Sequence, residues 1–192
     1  MQNYLVASYY INCQDETILK QAGQLANSCD NEEQVIKACF EFVRDNIKHS
    51  WDYRLNPITC KAEDVLKYGT GFCYAKSHLL AALLRANHIP AGLCYQRLTL
   101  SDNKPPFCLH GLNAVFLKNY GWYRLDARGN KAGINAQFTP PIEQLAFAII
   151  TAGEADLMEI WHEPLPVITQ VLENYKSYID VINNLPDIEI IN

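Results

Sequence analysis

The 192-residue chain is 49% hydrophobic and 19% charged, with nine Gly and nine Pro, a composition that can bury a core and excludes disordered and collagen-like chains. Sixteen Lys and Arg against 21 Asp and Glu leave a net charge of −5, which repels phosphate backbones and excludes nucleic acid as the expected partner. No apolar run approaches the roughly 20 residues of a membrane span, and the length predicts a single domain.

Met1 to Gln14 carries no Lys or Arg and no apolar stretch ending in small residues, so it does not read as a secretory signal and a cytoplasmic location is expected. Seven cysteines, at 13, 29, 39, 60, 73, 94 and 108, include no CxxC pair. An odd count without that spacing disfavours a disulfide framework or a zinc ribbon and predicts reduced, mostly buried thiols.

Asp15 to Ser28 spaces Ile18, Leu19, Ala22 and Leu25 as a helix, and Asp30 or Asn31 then caps a second helix over Glu32 to Lys48. Its buried stripe is predicted as Val35, Cys39, Phe42 and Val43, with Glu32, Glu33, Lys37 and Glu41 outward. His49 to Pro57 reads as an aromatic, polar loop, and Lys61 to Tyr68 as a short helix closing at Gly69. After Gly69-Thr70-Gly71-Phe72, the residues Ala75, Leu79, Ala82, Leu83 and Ala86 trace one face of a helix from Cys73 to about Asn87. Cys73 therefore stands at a helix N-terminus.

Gly92 to Thr99 is strand-like, Ser101 to Pro106 a Pro-rich loop, and Leu109 to Leu117 with Trp122 to Leu125 a β-hairpin around Asn119 and Gly121. Further helices are predicted over Pro141 to Ile150 and from about Pro166 to Asn183, and no repeat is visible.

An ordinary thiol, with a pKa near 8.5, is lowered by a helix N-terminus and by a neighbouring imidazolium. Cys73 has the first, and His110 and Asp126, on the two hairpin strands, supply the rest. A hairpin loop centred on Lys118 sets these two directly opposite and one centred on Asn119 sets them diagonally; either way they share a face, roughly 5 to 8 Å apart at Cβ. Asp126 can then fix the tautomer of His110 while the other ring nitrogen faces the thiol. Thiolate attack on an amide or ester carbonyl gives a thioester, resolved by water or by an amine. Its oxyanion needs the Cys73 N–H and one more donor, for which Trp51 and Gln96 are candidates.

Four segments, Tyr68-Gly69-Thr70-Gly71-Phe72-Cys73, Leu84-Arg85-Ala86-Asn87-His88-Ile89-Pro90-Ala91, His110-Gly111-Leu112-Asn113-Ala114-Val115 and Trp122-Tyr123-Arg124-Leu125-Asp126, together resemble the transglutaminase-like superfamily in its small bacterial-type, cysteine-peptidase-like branch. The resemblance covers about residues 32 to 150, with a C-terminal helical extension at about 163 to 185. It implies an α+β, papain-like core, in which a helix carrying the nucleophile packs on an antiparallel sheet, with Cys73 as nucleophile, His110 as general base and acid, and Asp126 as orienter. The superfamily usually has Gly where His88 stands, so Asn87 or His88 must take the left-handed conformation there. Neither an acidic calcium loop nor room for accessory domains is present.

The expected substrate is a peptide or protein, with no cofactor and no metal, since the histidines lack ligand spacing. Specificity is expected from loops 49–60, 101–108 and 128–140. Arg128 and Asn130 either support the His–Asp pair or stabilise their own loop. Cys108 would face the Cys73 side if its strand extends that far, which allows a redox coupling. Two alternative functions share these residues: an arylamine N-acetyltransferase-like acyl transferase, and a catalytically silent peptide-binding module.

Overall fold

The computed structural model describes residues 1–101 and 104–188. Asp15 caps α1 (Glu16–Ala26) by accepting from the Thr17 and Ile18 amides, and Asn31 caps α2 (Glu32–Asn46) by accepting from Gln34. The buried face of α2 is Ile36, Cys39, Phe40 and Val43, with Val35 and Phe42 only half-buried. The predicted stripe was therefore rotated by about one position, because Val35/Ile36 and Phe42/Val43 are adjacent apolar pairs that fit either phase. The expected loop after it holds a two-residue strand β1 (Lys48–His49) and one turn of helix α3 (Ser50–Tyr53).

Next, α4 (Ala62–Tyr68) ends at Gly69 in the left-handed conformation, as predicted. The segment leading to Cys73 forms β2 (Thr70–Gly71), paired in parallel with β1 so that His49 lies opposite Gly71.

The predicted helix from Cys73 is α5 (Cys73–Ala86), and every residue from Cys73 to Arg85 is buried. It is a central helix rather than a one-sided one. Three of its polar side chains tie it to backbone carbonyls elsewhere in the chain. Lys76 donates to the carbonyls of Ile47 (2.5 Å) and Arg128 (2.8 Å), His78 Nδ1–H to Cys60 (2.6 Å), and Arg85 to Ala91, Val6 and His162. Buried donors paired with carbonyls that have no ladder partner satisfy both sides at once. His88, at φ 60°, takes the left-handed turn that ends the helix.

The sheet has the order β5-β4-β3-β6, all antiparallel: β3 (Ala91–Ser101), β4 (Lys104–Leu117), β5 (Gly121–Leu125) and β6 (Ala155–Asp156). Residues 104–106, expected in a loop, belong to β4, while 102 and 103 lie outside the described residues. Leu109, Val115, Leu117, Tyr123 and Leu125 join the α5 core, and Leu112, Ala114 and Cys94 pack on the other face against Trp122, Leu145 and Ile160.

The chain that covers this outer face includes 141–150, where a helix was expected and none forms. There the backbone is tied to side chains: Glu143 takes the Arg124 amide and guanidinium, and the Ala146 amide donates to Asp126. The last predicted helix is two, α6 (Pro166–Asn174) and α7 (Tyr178–Asn183), because Ser177 starts a new helix by accepting from the Asp180 amide. All seven cysteines are free thiols. No helix among the described residues is long and apolar enough to cross a membrane.

Candidate active site

The start of α5, the middle of β4 and the chain just after β5 converge at one cleft of about 630 Å³, lined by Cys73, His110, His49, Trp51, Arg128 and Phe147 among others. Cys73 is the first residue of α5, and Phe72 at the N-cap makes no side-chain capping bond. The first amides of a helix have no partner within it, so the positive end of α5 opens beside the sulfur. The Gly111 amide approaches Cys73 Sγ at 3.5 Å. Gly111 is also where β4 crosses the start of α5: a Cβ there would sit 3.0 Å from Tyr74 Cδ1 and 3.1 Å from its Cα. Gly111→Ala should therefore push strand from helix, with a loss of about 1–3 kcal/mol in urea denaturation and slower alkylation of Cys73.

In the hairpin, Leu117 pairs with Gly121 and Asn113 with Leu125, so the loop is centred on Asn119 and His110 and Asp126 are diagonal neighbours. His110 Nε2–H donates to Asp126 Oδ2 at 2.8 Å. That leaves Nδ1 for the thiol. Asp126 is completely buried and also accepts from the amides of Arg128 (3.0 Å) and Ala146 (3.2 Å). Burial alone would raise its carboxyl; the charge and hydrogen bond of His110 and the two amides hold it below the usual range. For His110, burial favours the neutral ring, but the Asp126 carboxylate and the Cys73 sulfur outweigh it and raise the pKa to about 10. Phe147 packs edge-on against the ring, 4.9 Å between centroids.

Of the other predicted residues, Trp51 lies on the cleft wall and is 38% exposed. Gln96 does not belong to the cleft. It sits directly across the ladder from His110, but its amide donates to Asp156 (2.9 Å) and to the Phe147 carbonyl under the covering chain, which removes it as an oxyanion donor. The Arg128 guanidinium forms a two-pronged pair with Asp52 (2.7 and 3.1 Å), while its amide supports Asp126. Asn130 serves its own loop, exchanging two hydrogen bonds with Ala136. Cys108 lines the cleft, and burial pushes its thiol up to about 12, with Cys73 adding in the same direction; such a thiol is slow to oxidise.

His49 was missed. It is buried, lines the same cleft and packs edge-on against Phe72, and neither ring nitrogen has a hydrogen-bond partner among the described residues. Burial pushes it well below the usual histidine range, and the charges of Arg128 and Lys76 push the same way against Asp52. One faint signal was its place two residues before Trp51.

A cysteine at the head of a central helix, facing a histidine and an aspartate on an antiparallel sheet, defines an α+β protein of papain-like architecture. The model of the transglutaminase-like superfamily matches residues 20–127, more than half of the chain, and the protein belongs to that superfamily. Among solved structures, a candidate cysteine protease from Cytophaga hutchinsonii is similar at TM-score 0.52 and 23% identity, over 65% of this chain and 40% of that one. The periplasmic domain of TgpA from Pseudomonas aeruginosa aligns at TM-score 0.47 and 16% identity, over 66% of this chain and 45% of that one. The chain thus spans less than half the length of either. No curated protein matches it in sequence.

Proposed function

We propose that the protein is a thiol-dependent hydrolase or acyl transferase that opens amide bonds of a peptide or peptide-like substrate, with Cys73 as nucleophile, His110 as proton carrier and Asp126 as orienter. The observation that carries this reading is the buried Nε2–H to Oδ2 bond of 2.8 Å between His110 and Asp126, beside the uncapped head of α5. Superfamily membership supports it. A reducing, cytoplasmic setting is part of the same proposal, in keeping with seven unpaired cysteines.

The chemistry follows from the groups. The Cys73 thiolate adds to the carbonyl carbon; the S–C bond forms and the π pair moves to oxygen, beside the Cys73 N–H. As that pair returns, the C–N bond breaks and His110 gives its Nδ1 proton to the leaving amine. Water or an amine, losing a proton to His110, then attacks the thioester and expels the thiolate. The acceptor decides between hydrolysis and transfer. Phe147, Leu98, Leu100 and Ile150 make one side of the cleft apolar, which suits an extended peptide with a hydrophobic side chain near the scissile bond.

The test is alkylation by iodoacetamide at pH 7, with the labelled cysteine identified by mass spectrometry. Cys73 is expected to react at least about tenfold faster than the other six thiols and to lose that advantage in His110→Ala. Equal reactivity of all seven would refute the assignment.

A further inference from the structure

The proposed thioester chemistry supplies the oxyanion with one backbone donor, the Cys73 N–H, and on that reading rests a second assignment. We infer that His49 is the other oxyanion donor, offering the ring N–H of a neutral imidazole to the carbonyl oxygen of the acyl group. Three observations point to it. The parallel pairing of β1 with β2 sets His49 opposite Gly71, two residues before Cys73, and its ring packs edge-on against Phe72, the residue that leads into α5. The ring lines the cleft that holds Cys73 and His110 and is only 4% exposed. Neither of its nitrogens has a hydrogen-bond partner among the described residues.

A neutral imidazole always carries one N–H, and a buried donor without an acceptor is rare in folded proteins. The nearest carboxylate does not fill the need. Asp52 Oδ2 is 3.8 Å from His49 Nδ1, beyond hydrogen-bond reach, and Asp52 is already held by Arg128 and Lys131. Burial, and then the charges of Arg128, Lys76 and His110 against that of Asp52, oppose a positive charge on His49. The ring is thus a donor that keeps its proton. It does not compete with His110 for the proton that goes to the leaving group.

When the Sγ–C bond forms and the π pair moves onto oxygen, the Cys73 N–H and the His49 ring N–H both donate to that oxygen, and both return unchanged when the pair moves back. Trp51, more than a third exposed, is the less desolvated donor, and Gln96 is engaged elsewhere.

The experiment compares two reactions of the same sulfur in the full chain. Alkylation by iodoacetamide passes through no oxyanion, whereas acylation by p-nitrophenyl acetate does. His49→Phe keeps an aromatic ring against Phe72 and removes the N–H. It is expected to slow acylation by about 10²- to 10³-fold while alkylation of Cys73 stays within about threefold, and His49→Gln is expected to recover about tenfold of the loss. Acylation of His49→Phe at the wild-type rate would overturn the assignment. So would a parallel loss of both reactions, which would place His49 on the thiolate instead of the oxyanion.

A measurement on the unaltered protein guards against a variant that misfolds. Propanal should add to Cys73 as a hemithioacetal, and in protein with nitrogen-15-labelled histidine the His49 ring N–H should shift and become protected from exchange. An unmoved signal on adduct formation rejects the assignment. A wild-type chain in which Cys73 is neither selectively alkylated nor acylated instead removes the underlying reading, a result distinct from any above.

Discussion

Asp126→Asn is expected to lower amide turnover by about 10⁴-fold, towards the floor set by Cys73→Ala. The reason lies in how the three donors divide between the carboxylate oxygens. Oδ1 accepts from the Arg128 amide and Oδ2 from both His110 Nε2 and the Ala146 amide. An asparagine that keeps its oxygen on Arg128 turns its NH₂ towards His110. The ring can accept that bond only by moving its own proton to Nδ1, so it presents an N–H to the sulfur and can no longer take up a proton there. Without the carboxylate, burial also drives His110 to its neutral form, and the imidazolium beside Cys73 disappears.

The Ala146 amide loses its acceptor as well, at a cost of about 1–3 kcal/mol, and with it the tie that holds Phe147 against the ring. The check pairs amide turnover with the pH profile of iodoacetamide alkylation: the variant should lose reactivity at neutral pH and regain it in alkali. Turnover within tenfold of wild type would show that Asp126 is scaffold only.

Why some of this site was legible and some was not comes down to which interactions leave a local trace. The glycines of 69–71 and the apolar spacing from Ala75 to Ala86 mark a turn into a helix, and so put Cys73 at its head. Period-two alternation puts His110 and Asp126 on one face for a loop centred on Lys118 or on Asn119, and the register decides for Asn119.

Gln96, a candidate as an amide donor, does not reach the cleft. It does lie directly across from His110, but the covering chain around Phe147 and Asp156 claims that part of the face, and nothing in the sequence of 141–150 announces a segment held by side-chain bonds instead of by helix. His49 escaped because its position depends on a parallel pairing between two strands of two residues each, too short to leave any periodicity.

Measured relative to wild type, the stability of two variants is expected to slope in opposite directions between pH 7 and 9, because the raised thiols of Cys39, Cys60, Cys94 and Cys108 contribute equally to all three proteins. His110 has its pKa raised from 6.5 to about 10, so the folded chain holds a proton that the unfolded chain has lost. Its contribution is fully present below 6.5 and is lost as the pH rises through about 10. Lys76 is the reverse. Burial, with the Arg128 charge acting in the same sense, lowers it from 10.5 to about 7, so between those values the unfolded chain binds more protons. The cost of charging Lys76 is full below 7 and is relieved as the pH rises to 10.5.

One proton gained and one lost cancel over the shared window. Each alone is worth up to about 1.4 kcal/mol per pH unit, or about 2–3 kcal/mol from pH 7 to 9. In urea denaturation, the stability of His110→Gln relative to wild type should therefore rise with pH by about that amount, and that of Lys76→Met relative to wild type should fall. Lys76→Met should also be weaker at pH 9, where the wild-type amine still donates to the Ile47 and Arg128 carbonyls and methionine leaves both without a partner. Parallel pH profiles for the two variants would mean that the proton on His110 is not held by Asp126 and Cys73. The slope of folding with pH thus reads the charge state of the site without any substrate, and it does so from the same Asp126 contact on which turnover is expected to depend.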